Sequence, residues 1–124
     1  MVRIRNNDNS CFWHAMAILL NKDSPNYKKI KERDSTRGKI AKQLCQSCCM
    51  NWDEQVGIDQ IPIVEAMLKC NIYVVDIDNL PMMATTLTIY ESLLYKARYT
   101  ENYTQCWLLF DNNHYNVITN PKGF

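Results

Sequence analysis

Residues 11–20 are good helix formers and apolar nearly all the way round, with Ser10 before them and His14 within. That pattern predicts a helix buried on every side, ended by the polar stretch from Asn21 to Pro25. Asp34, Ser35 and Thr36 offer N-caps for a second helix running to about Met50, with Gly38 its weak point. Ile40, Leu44 and Cys48, with Ala41 and Cys45, recur at helical spacing and should face the core. Asp59 can cap a third helix with Pro62 in its first turn, carrying Ile63, Val64, Met67 and Leu68 inward and closing at Asn71. Residues 72–77 are the clearest strand, and residues 2–5 alternate apolar and basic as a short strand would. Residues 82–103 are ambiguous: threonine-rich pieces suggest strand, and residues 91–98 have room for one or two helical turns. Residues 106–110 and 114–119 read as two strands joined by Asp111, Asn112 and Asn113, a hairpin whose second strand opens on His114. Helices first and strands afterwards predict one α+β domain over residues 1–124, with a central buried helix on a small, mostly antiparallel sheet.

Composition narrows the function classes. The 124 residues suit one hydrophobic core, and 14 basic against 13 acidic side chains leave no electrostatic footprint for nucleic acid. Lys28, Lys29, Lys31 and Arg33 cluster with Glu32 among them, which reads as a solvated helix face. The longest apolar run, Ala15 to Leu20, is too short for a bilayer, and no apolar segment follows the first residues as in a secretory signal. The chain is therefore expected to be a soluble, cytoplasmic monomer with no membrane partner. Six cysteines in that setting read as free thiols. Cys45 and Cys48 have the spacing of half a zinc site, but no second pair follows, and no cofactor or metal is expected.

Three features then converge on thiol chemistry. Cys11 stands where a polar turn becomes an apolar helix, so its sulfur meets first-turn N–H groups and the positive end of the helix dipole, which favour thiolate. His114 opens a strand directly after a turn, so its ring can project from a sheet end. Asn116, two residues on, shares that face and can hold the imidazole tautomer. The only other histidine, His14, neighbours Cys11 on the helix and is the weaker base, because a helical neighbour points along the helix. Residue types and spacing reach a possible thiol enzyme and go no further.

The sequence Asp8-Asn9-Ser10-Cys11-Phe12-Trp13-His14-Ala15 resembles the nucleophile motif of the ovarian tumour (OTU) family of papain-like cysteine proteases, and His114-Tyr115-Asn116 resembles its base motif. Helix 61–70 feeding strand 72–77 is similar to the family's helix and first core strand. The family usually has Gly at the position of Asn9 and Asn at that of Ser10. The resemblance implies a papain-like fold and cleavage after the Gly-Gly tail of ubiquitin or a ubiquitin-like modifier, that is, a deubiquitinase. It implies Cys11 as nucleophile, His114 as base, Asn116 as orienting residue and Asp8 as brace of the nucleophile loop. Asn9, Ser10, Trp107 and Tyr115 are then expected around the oxyanion hole or substrate cleft. Two alternatives share the motifs: a polyprotein-processing protease of a virus or mobile element, and an inactive module that binds a partner through the old cleft.

Overall fold

Helix α1, Cys11–Leu20, forms where expected, and every residue from Cys11 to Leu19 is buried. Its burial on all sides follows from its place: α2 (Tyr27–Glu32) and α3 (Asp34–Ser47) pack on one side, and a four-stranded sheet on the other. The computed structural model describes residues 9–77, 93–98 and 102–119. The strand expected over residues 2–5, Asp8 and most of the ambiguous 82–103 stretch lie outside them.

The basic cluster sits on α2, with Lys28 and Lys29 exposed and Ile30 as the buried anchor. Helix α3 ends earlier than expected, at Ser47, where Cys49 takes a left-handed conformation with φ 55°. Helix α4, Ile61–Leu68, follows a single 3₁₀ turn that contains Asp59. Its inward face differs in part from the expected one. Ile63 and Met67 are 52% and 53% exposed, whereas Ile61, Val64 and Glu65 are buried. The reason is a buried carboxylate: Glu65 accepts hydrogen bonds from the Ile72 N–H and the Tyr95 hydroxyl, and this turns the helix by its own spacing. The helix stops at left-handed Lys69, so Asn71 belongs to the strand that follows.

Strands β1 (Cys70–Asp76), β2 (Leu93–Tyr95), β3 (Thr104–Asp111) and β4 (His114–Val117) form one sheet in the order β2-β1-β3-β4. The outer pairings are antiparallel, but the central pair, β1 with β3, is parallel from Cys70 opposite Thr104 to Asp76 opposite Phe110. The sheet is thus mixed. Apolar alternation sets which residues face a core and is silent on strand direction; the strands buried on both faces are the ones that pair in parallel here.

The two faces have separate surroundings. Ile72, Val74, Cys106, Leu108, Tyr115 and Val117 join the main core with α1 and the other helices. Val75, Trp107, Leu109 and Ile118 form a smaller cluster on the opposite face, backed by Tyr73, Ile77 and Leu93. Strand β4 lies at the sheet edge next to α1, and this brings residues 11–20 against residues 114–117.

Candidate active site

The first turn of α1 places Cys11. Ser10 is its N-cap, fully buried, and its carbonyl accepts the His14 N–H at 3.1 Å. Cys11 follows at 3% exposure. Phe12, the next residue, meets the ring of Tyr115 edge-on, with centroids 5.3 Å apart. Tyr115 stands between His114 and Asn116, so the helix start is packed directly on the strand that carries both.

The hairpin positions His114. Asn112 and Asn113 have φ of 51° and 62°, the left-handed pair that a two-residue turn between twisted strands requires and that asparagine tolerates. Asp111 then pairs with His114, Phe110 with Tyr115 and Leu109 with Asn116. Alternation sends Tyr115 and Val117 into the main core and places His114 and Asn116 together on the other face of this edge strand. His114 is half-buried and Asn116 is 5% exposed. The phenol of Tyr115 donates to the carbonyl of Val56 at 2.8 Å, and its pKa is pushed up by burial first and then by charge at Cys11 and Asp59.

A loop that the sequence reading passed over completes the geometry. Asn9 is exposed and donates its side-chain amide to the carbonyl of Asp53 at 2.9 Å. Gln55 donates to the carbonyl of Asn113 at 2.6 Å. The same loop walls an open cavity of about 260 Å³ lined by residues such as Asn51, Glu54 and Gln60. Nothing in residue type marks Asp53, Gln55 or Val56 as special, and two of the three contacts are made by backbone carbonyls, which no sequence pattern signals.

Trp107 is 4% exposed and stacked on Tyr73, with centroids 4.4 Å apart, in the outer-face cluster. It shares that face of β3 with Leu109, the partner of Asn116, and so lies diagonally beside Asn116 on the face that also carries His114. His14 is committed to α3. Its Nδ1 accepts from Arg37 Nε at 2.9 Å, and Arg37, itself 5% exposed, also donates to the Lys31 carbonyl and pairs with Asp34. An imidazole that accepts at Nδ1 carries its proton on Nε2.

The other thiols lie on α3, on the turn after it, and on β1 and β3. Burial, followed by the nearby Cys45, Cys70 and Cys49, pushes Cys48 up to about 11, and burial also raises Cys45. Cys70 is raised by its hydrogen bond with Cys106 and by burial. Such thiols are poor nucleophiles. Cys49 is the exposed one. Among the described residues no three His, Cys, Asp or Glu side chains gather as metal ligands, and no helix is long and apolar enough to cross a membrane. Compared with family models, curated proteins and solved structures, the chain finds no match.

Proposed function

We propose that this chain is a thiol hydrolase of the OTU type, acting on the Gly-Gly tail of ubiquitin or a ubiquitin-like protein. The observation that carries the reading is the seating of the first turn of α1, through Phe12 and Tyr115, on the strand that bears His114 and Asn116. A helix start supplies unpaired N–H groups and a positive dipole end; a strand start supplies an imidazole with an amide beside it. The substrate class rests on the resemblance of the two motifs, Asp8 to Ala15 and His114 to Asn116.

In this mechanism His114 takes the proton from the Cys11 sulfur, and the thiolate attacks the carbonyl carbon of the terminal glycine. The tetrahedral oxyanion develops against the first-turn N–H groups. The imidazolium returns its proton to the departing amine as the C–N bond breaks, leaving a thioester on Cys11. Water activated by His114 then hydrolyses the thioester and restores the thiol. Asn116 keeps the ring oriented through both halves.

Hydrolysis of a ubiquitin C-terminal fluorogenic amide tests these roles. Cys11→Ala is expected to abolish turnover with the fold intact, and His114→Ala to lose at least about a thousandfold. Asn116→Ala is expected to lose roughly tenfold to a hundredfold, since it orients the ring and does not react. Turnover that survives Cys11→Ala would overturn the assignment.

A further inference from the structure

The loop over residues 51–56 ties the two halves of the site together. Asp53 receives the side chain of Asn9, two residues before Cys11, at 2.9 Å. Val56 receives the hydroxyl of Tyr115, one residue after His114, at 2.8 Å. Gln55 donates to the backbone carbonyl of Asn113, one residue before His114, at 2.6 Å. These contacts bridge 44, 59 and 58 positions of sequence.

The loop is itself braced. Asn51 accepts the Asp53 N–H at its side chain (3.0 Å) and the Glu54 N–H at its carbonyl (3.2 Å), and Gly57 and Gln60 bond reciprocally at 2.9 and 3.0 Å. The hairpin tip has no such support within the sheet. Strand β4 is an edge strand, Asn112 and Asn113 are exposed, and both have left-handed backbones. The placing of His114 at the start of β4 therefore depends on what holds the tip from outside, and Gln55 holds its backbone.

We propose that Gln55 is a positioning residue for the base, its amide fixing the Asn113 carbonyl so that the His114 ring meets the Cys11 sulfur. The proposal rests on the thiol-hydrolase reading above. Gln55 touches no reacting atom; it acts through the turn. A merely structural Gln55 would alter melting and leave the ionisation of Cys11 alone, whereas a positioning Gln55 alters the ionisation, because the thiolate depends on the imidazolium beside it.

The test is the rate of Cys11 alkylation by iodoacetamide between about pH 4 and 9, on the full chain. Cys49→Ser serves as background because Cys49 is the exposed thiol. The background is expected to keep a plateau of reactivity well below the range of an ordinary thiol. Gln55→Ala is expected to lower the rate on that plateau about tenfold to a hundredfold, as a misplaced catalytic partner does, with melting shifted by only a few degrees. Gln55→Glu has the same shape but lacks the donor when ionised, and is expected to match Gln55→Ala; it carries the test if the alanine variant folds poorly. Gln55→Lys keeps a donor at similar reach and is expected to restore most of the plateau. A Gln55→Ala profile equal to the background would overturn the proposal while the thiol-hydrolase reading stands. An ordinary thiol titration in the background itself would overturn both, and shows before any Gln55 variant is compared.

Discussion

Tyr115 links core, loop and site at once. Its ring packs on Phe12 and Phe110, its hydroxyl bonds the Val56 carbonyl, and its backbone lies between the two polar residues of the strand. Tyr115→Phe keeps the ring contacts and leaves a buried carbonyl without its donor, so it is expected to cost about 1–3 kcal/mol. Urea unfolding of the variant against the parent measures this, and an unchanged midpoint would show that Val56 finds another donor. The sequence made the pairing of His114 with Asn116 legible because strand alternation is a local rule. The contact of Tyr115 with Val56 was not legible, since it joins positions 59 apart through a carbonyl that every residue possesses. His14 shows the same limit: its partner Arg37 lies on another helix, 23 positions away.

Helix α1 was legible to the residue because its apolar run is uninterrupted and bounded by polar turns. Helix α4 was placed in the right stretch with half its inward face: Val64 and Leu68 turn to the core as expected, but Ile63 and Met67 do not, because Glu65 reads as a surface residue until the Ile72 N–H and Tyr95 hydroxyl are there to satisfy it. The short strand β2 sits in the ambiguous stretch, where three residues of strand are too few to show a period. In α3, Gly38 was identified as the weak point, and its surroundings give that reading a consequence. A Cβ built on it would meet His14 Cε1 at 3.8 Å, an ordinary contact. Gly38→Ala is therefore expected to stabilise the protein by about 0.5–1 kcal/mol through helix propensity. Thermal melting checks this, and a loss of stability would mean that the His14–Arg37 contact needs the space.

At the scale of the molecule, the α+β class was legible in the order of helical and strand patterns, but the mixed sheet was not. The parallel pairing of β1 with β3 makes β4 an edge strand, and that edge is where α1 begins. Topology thus joins a motif near the start of the chain to one near its end, with the 51–56 loop bonding to both. Of the six thiols, Cys11, Cys45, Cys48, Cys70 and Cys106 are buried and Cys49 is exposed; Cys11 is the one that lies between Asn9, which bonds the loop, and Phe12, which packs on Tyr115. The most direct measurement is mass-spectrometric mapping of the adduct formed with ubiquitin that carries a thiol-reactive group in place of its terminal carboxyl. The expected result is one adduct per chain, located on Cys11 and absent from Cys11→Ala. A folded chain that stays unlabelled, or one labelled equally well at Cys49 in Cys11→Ala, would contradict the assignment of Cys11 as the nucleophile of a ubiquitin-directed site.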